Sequence, residues 1–195
     1  MSENIDNIGV KPRNIPFLKS VLRVGVAVGL LTLSAKVQVP FWPVPMTLQI
    51  LVLMGIAATL GMRQGLASVG AYFLMGAMGF AVFAGTPEKG IGIAYMLGAT
   101  GGYLAGFLVA TGIVGFAADR FHKFAVAPAM LLGLVAIYVL GLAWLAQFVP
   151  ADKVLAYGFT PFIAGDFLKV GIAALAFIGL PAAWARWLRG SADQE

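Results

Sequence analysis

VAPAMLLGLVAIYVLGLAWLAQFV, residues 126–149, carries no charged side chain from end to end. A helix crosses a bilayer with about 17–25 predominantly apolar residues, so this run alone is long enough for one crossing. Similar runs lie on both sides of it. Hydrophobic residues make up 61% of the 195 and charged ones 11%, with a mean hydropathy of +0.93, the composition of an integral membrane protein. Helices are predicted at 17–36, 46–62, 65–84, 93–118, 126–149 and 165–188, giving an all-α bundle of about six transmembrane helices. Residues 17–189 then form one membrane domain, with a polar arm at 1–16, a polar tail at 190–195 and no room for a soluble catalytic domain. The run beginning at Phe17 lacks a small-residue cleavage site and reads as a retained helix rather than a signal peptide.

Basic residues beside the helix ends set the orientation. Lys11, Arg13, Lys19, Arg23, Arg63, Arg120, Lys123, Arg186 and Arg189 fall on one side, and only Lys36, Lys89 and Lys153 on the other. The rich side is predicted to be cytoplasmic, with both termini there and the loops at 37–45, 85–92 and 150–164 outside. A net charge of +5 scattered over loops, without a basic tail or stripe, argues against nucleic acid as a partner. The absence of cysteine excludes disulfides, thiolate metal sites and cysteine nucleophiles. His122 cannot build a metal cluster alone, so neither a metal nor a cofactor is expected.

Against this apolar background stands Phe162-Ile163-Ala164-Gly165-Asp166-Phe167-Leu168-Lys169-Val170-Gly171. Each charge costs roughly 2.5–3.5 kcal/mol even on a mild insertion scale, so intramembrane ions usually face each other, a cavity or a substrate. Three residues apart, Asp166 and Lys169 share a helix face. A carboxylate accepts and an ammonium donates, which together complement a neutral group with N–H donors and a carbonyl, such as a urea. A second reading stands beside this one. Asp166 follows Pro161 and Gly165, and as a cap on the helix N-terminus it would need no ligand, with Lys169 neutralising it or snorkelling outward.

Two other segments carry polar or stiff residues on the same predicted side. Pro40, Pro43 and Pro45 remove amide donors and interrupt helix, so 37–45 is a structured loop. Its Phe41 and Trp42 either lid a small pocket or sit in the interfacial aromatic belt. Thr47 and Gln49 lie just beneath it, and Tyr95, Thr100 and Tyr103 bring hydroxyls in a glycine-rich stretch. That stretch lacks the GxxxxGK[ST] pattern of a phosphate loop, so an ATP-driven function would need its motor on another chain. Gly25 and Gly29 form a small-residue face on the first helix, and Gly98, Gly102 and Gly106 a longer one on the fourth. The first face serves internal packing or docking onto another membrane subunit.

Taken in order, 35–49 (AKVQVPFWPVPMTLQ), Val82-Phe83-Ala84-Gly85, 97–107 (LGATGGYLAGF) and Gly165-Asp166-Phe167-Leu168-Lys169 resemble the BioY family, the biotin-binding S components of energy-coupling-factor transporters. The resemblance implies a multi-pass protein of the bacterial cytoplasmic membrane, embedded in the lipid bilayer, that captures biotin from outside. It implies delivery inward with a transmembrane coupling subunit and two ATP-binding-cassette ATPases, and no enzymatic activity of its own. It also implies that Asp166 and Lys169 hold the ureido ring and that the proline-rich loop closes over the ligand. Phe41, Trp42, Pro43, Thr47, Gln49, Phe83, Gly85, Tyr95, Thr100, Gly101 and Tyr103 become pocket and lid candidates, and Gly25 and Gly29 the docking face for the coupling subunit. The chain departs from the family pattern at Ala99 and Ala81, where proline is common, and at Thr86-Pro87-Glu88-Lys89, where glycine is frequent.

Other classes fit less well. A proton-coupled secondary carrier would use Asp166 as its titrating group, but no internal repeat accompanies it. An aspartyl protease needs a second carboxylate to share a proton, and a serine–histidine mechanism would need His122, which the topology puts on the opposite side.

Overall fold

Inside a bilayer no water is available to backbone amides, so an apolar chain must close its hydrogen bonds within helices and must satisfy by other means every group freed at a break. The computed structural model describes residues 15–85 and 90–181. Most of the predicted arm, the tail, Lys89 and the end of the last helix lie outside these. The elements are α1 Ile15–Lys36, β1 Gln38–Val39, β2 Met46–Thr47, α2 Gln49–Ala77, α3 Gly92–Met96, α4 Gly101–Arg120, α5 Val126–Leu145, α6 Val154–Gly158 and α7 Ile163–Gly179. Among the described residues, four helical spans are long and apolar enough to cross a membrane: Phe17–Lys36, Gln49–Ala77, Gly101–Arg120 and Lys123–Leu145. A fifth arises if Ala151–Gly158 and Ile163–Gly179, bent by 41°, count as one. Large apolar side chains point outward from them, Phe17 and Leu175 being 72% exposed, as lipid-facing surfaces require.

α2 does not run straight. Gly61 has φ +75° and ψ −176°, a conformation open to glycine and strained for other residues. In a straight helix Gln49 and Tyr72 would stand about 34 Å apart, yet the Gln49 side-chain amide donates to the Tyr72 hydroxyl at 2.9 Å. A Cβ on Gly65 would lie 3.5 Å from the Ala57 Cα. The chain therefore doubles back at Gly61 and forms an antiparallel pair. The expected linker at Arg63-Gln64 is thus corrected: those residues are helical. The cap comes from far along the chain, where Asp119 accepts from the Met62 amide at 2.9 Å and occupies the space a Gly61 side chain would fill.

Three other boundaries differ from expectation. The run at 65–84 leaves helix after Ala77, and the expected helix over 93–118 is two, broken between Met96 and Gly101. Gly98 therefore belongs to a turn and not to a helical glycine face. Its carbonyl accepts from the Trp144 indole at 2.9 Å. Gly102 and Gly106 do line one face, against α5: a Cβ on Gly106 would meet the Ile137 Cα at 2.6 Å, and one on Gly102 would collide with the Leu140 carbonyl. The segment at 150–164, expected as loop, contains α6.

The loop after α1 is a two-stranded hairpin, with Gln38 paired to Thr47 and Val39 to Met46, and its tip carries the three prolines. Phe41 packs edge-on against Phe162, and Trp42 against Tyr157. The hairpin thus sits at the same end of the bundle as α6 and the start of α7. Gly61, Asp119 and Lys123 mark the opposite end, where Lys123 donates to the Ile178 carbonyl at 2.9 Å.

Replacing Asp119 with alanine removes the cap from the returning half of α2. The expected loss is about 0.5–2 kcal/mol, read as a lower unfolding temperature in detergent. Gly61→Ala is expected to cost more, since it meets both an unfavourable φ and the Asp119 carboxylate.

Candidate functional site

α7 begins at Ile163, and the Asp166 amide donates to the Phe162 carbonyl at 2.9 Å. Asp166 is thus inside the helix, with Phe162 in the cap position. Asp166 is therefore not the cap residue itself, but it lies in the first turn and Lys169 neutralises it, as the second reading has it. The carboxylate is 3% exposed and Lys169 8%. Lys169 Nζ donates to Asp166 Oδ1 at 2.8 Å, and the Tyr138 hydroxyl, from α5, donates to Oδ2 at 2.6 Å. Each oxygen has spare lone pairs, and Asp166 lines a cavity.

That cavity lies between the hairpin, α2, α4, α5 and α7. It encloses roughly 580 Å³ of unfilled space, a figure that includes open solvent at its mouth. Of the residues singled out in the sequence, Thr47, Gln49, Tyr95, Thr100, Tyr103 and Asp166 meet on its wall. Val44, Pro45, Met46, Ile50, Ala84, Leu104, Phe107, Ile137, Tyr138 and Phe162 complete it. The lining is mainly apolar and aromatic with a few polar groups, the usual composition of a small-molecule pocket.

The remaining candidates lie elsewhere. Lys169 is behind Asp166 and not on the wall. Phe83 is 1% exposed and stacks on Tyr95 at 4.9 Å between ring centres, so it backs the wall rather than forming it. Its carbonyl accepts from Lys36 Nζ at 2.9 Å. Gly85 makes a turn at φ +69° next to the lining residue Ala84. Gly101 packs against the Met96 carbonyl and the Trp144 indole. Trp42 and Pro43 line a second cavity with Tyr95, Gly98, Ala99, Thr100 and Phe148. The two cavities share Tyr95 and Thr100. Phe41 packs on the lining residue Phe162.

Sequence reasoning missed Tyr138. It is a lone hydroxyl in the middle of the apolar run at 126–149, and an unexplained phenol at that depth was the only available signal. Around the cavity, Tyr103 donates to the Gly158 carbonyl at 2.8 Å, tying α4 to α6. Burial pushes the Tyr95 phenol up, against the lowering effect of a hydrogen bond with Thr100, so it stays protonated at neutral pH. Gly25 and Gly29 have no neighbour within 4 Å of where a Cβ would be. Among the described residues nothing packs on their face.

The fold defines a helical bundle of membrane-spanning type with a cavity beside a buried ion pair. Comparison with known proteins places it more narrowly: the chain belongs to the BioY family, whose model matches residues 4–186. It is 37% identical over 157 residues to the probable biotin transporter BioY of Pyrococcus horikoshii, covering 80% of this chain and 93% of that one. It is 36% identical over 165 residues to the biotin transporter BioY of Thermotoga maritima, covering 84% and 96%. In three dimensions it resembles the S-component for biotin from an ECF-type ABC transporter, with a TM-score of 0.71 at 24% identity over 83% of this chain and 89% of that one. At that identity the likeness is one of fold.

Breaking a buried ion pair from one side leaves an uncompensated charge and costs about 3–5 kcal/mol. Lys169→Met is expected to destabilise the protein on that scale, and adding Asp166→Asn to recover part of the loss. Paired thermal melts of the single and double variants check this.

Proposed function

We propose that this chain is the membrane-embedded biotin-binding component of a biotin transporter, taking the vitamin from outside and delivering it inward. The observation that carries the reading is the buried Asp166 carboxylate on a cavity wall, held by Lys169 and Tyr138, in a chain whose relatives are named biotin transporters. A ureido group presents two N–H donors and one carbonyl. Asp166 accepts from an N–H, and Lys169 turns toward the carbonyl when ligand enters. Thr47, Gln49, Tyr95, Thr100 and Tyr103 surround the ligand, with Phe41, Trp42 and Pro43 in the lid.

The proposed topology has six crossings, the two antiparallel halves of α2 counting separately, and both termini in the cytoplasm of a bacterial cell. The placement of Arg63, Arg120 and Lys123 near the Gly61 end supports this orientation. The cavity then opens outward. Energy comes from a transmembrane coupling subunit and two ATP-binding-cassette ATPases, and the chain itself is not an enzyme. The open Gly25 and Gly29 face of α1, a helix of which only 22% is buried, supports docking of the coupling subunit there.

Biotin at about 100 times its dissociation constant is expected to stabilise the detergent-purified protein by about 2.7 kcal/mol, seen as a raised melting temperature. Asp166→Asn should abolish the shift while keeping a cooperative ligand-free melt. An unshifted wild-type protein at saturating biotin would remove this reading. A separate outcome concerns the docking face. Gly29→Leu meets open space and should leave the isolated chain's melting temperature nearly unchanged, while preventing co-purification with the coupling subunit.

A further inference from the structure

Behind Gln49 on the cavity wall lies a buried polar chain whose far members, Tyr72 and Val82, the proposed function does not use. The Tyr72 hydroxyl donates to the Val82 carbonyl at 3.1 Å, and the Gln49 side-chain amide nitrogen donates to Tyr72 at 2.9 Å. Tyr72 is 0% exposed, and Gln49 and Val82 are 5% exposed, so these groups have no water to turn to. Donor counting fixes the direction of the chain. A carbonyl only accepts, and a phenol has one proton. With that proton committed to Val82, Tyr72 can only accept from Gln49, and the amide nitrogen is the only side-chain group of Gln49 able to donate. The amide orientation, normally open to a flip, is therefore set by a backbone carbonyl in the loop after α2.

The consequence falls on the cavity wall, which Gln49 lines together with Thr47. With its nitrogen turned to Tyr72, Gln49 directs Oε1 the other way. There the Thr47 hydroxyl approaches at 3.4 Å, long for an O–H···O bond, while Thr47 itself accepts from the Gln49 backbone amide at 3.2 Å. Oε1 thus keeps accepting capacity. We infer that Tyr72 is a positioning residue which, through the Val82 carbonyl, holds Gln49 as a hydrogen-bond acceptor toward the ligand. The site then selects a ligand with an N–H donor facing Gln49 in addition to the one facing Asp166. This inference rests on the proposed function and assigns a selectivity to that same site.

A double-mutant cycle on the full chain in detergent tests it, with biotin titrated calorimetrically and each ligand-free melt recorded. Tyr72→Phe and Gln49→Met should each weaken binding about tenfold, and the double variant should bind no more weakly than Gln49→Met, because Tyr72 acts only through Gln49. Biotin affinity unchanged by Tyr72→Phe would overturn the inference, as would the same loss from Tyr72→Phe in both backgrounds, the mark of a purely structural role. Should Tyr72→Phe fail to fold, the orientation of Gln49 is read with the two biotin derivatives methylated at one ureido nitrogen. The wild-type protein should reject both, and Gln49→Met should lose the preference at one nitrogen only. Undiminished preference at both nitrogens in Gln49→Met overturns the inference. Absence of any biotin binding by the wild-type chain would overturn the proposed function along with it, whereas biotin binding indifferent to Tyr72→Phe overturns the relay alone.

Discussion

A carboxylate and an ammonium buried among helices without water are tolerated only because each completes the other, and the local structure is arranged around that necessity. Asp166 and Lys169 lie one turn apart on α7, so their pairing is built into the helix. What is not built in is the second oxygen of the carboxylate, which takes its partner from α5 through Tyr138. That bond fixes how α7 rotates against α5 and thereby which part of α7 faces the cavity. A buried pair of this kind is weak evidence for stability, since hydrophobic residues of similar volume often serve as well. Of the pair, only Asp166 reaches the cavity wall.

The same economy governs the breaks between helices. Wherever the helical ladder stops, a backbone group loses its partner, and a buried polar group without one is costly. Some ends close on their own backbone, as at Met78, Leu97 and Ala146, and at five other places a side chain from a distant part of the sequence supplies the bond: Asp119 to Met62, Trp144 to Gly98, Tyr103 to Gly158, Lys36 to Phe83 and Lys123 to Ile178. The middle of the bundle is held by shape, and its ends by directed polar contacts. This division explains how short turns can join helices at sharp angles inside an otherwise apolar protein.

What was legible in the sequence follows from locality. Apolar runs of helical length announce themselves, as do two charges in a chain with so few, and the prolines at 40, 43 and 45 mark a loop without reference to anything else. The reversal at Gly61 was less visible. Arg63-Gln64 looks like a linker and is helical, because the cap that starts the second helix, on Met62, comes from 57 positions away. The break at 97–100 was hidden by glycines that suit helix packing and turns alike. Tyr138 was hidden for a different reason: in an apolar run a phenol reads as another aromatic until its partner is known. Phe83 shows the opposite error, a residue that marks the family but supports the wall from behind.

Gly102 and Gly106 bring α4 against the backbone of α5 at Leu140 and Ile137, with no side chain between them there. A side-chain interface yields by changing rotamers, whereas backbone against backbone has no such freedom. At those two points the helices cannot adjust to each other by a change of rotamer alone. The proline hairpin and the α6 segment, by contrast, meet through the rings of Trp42 and Tyr157, a contact that a turn of either side chain can loosen or remake.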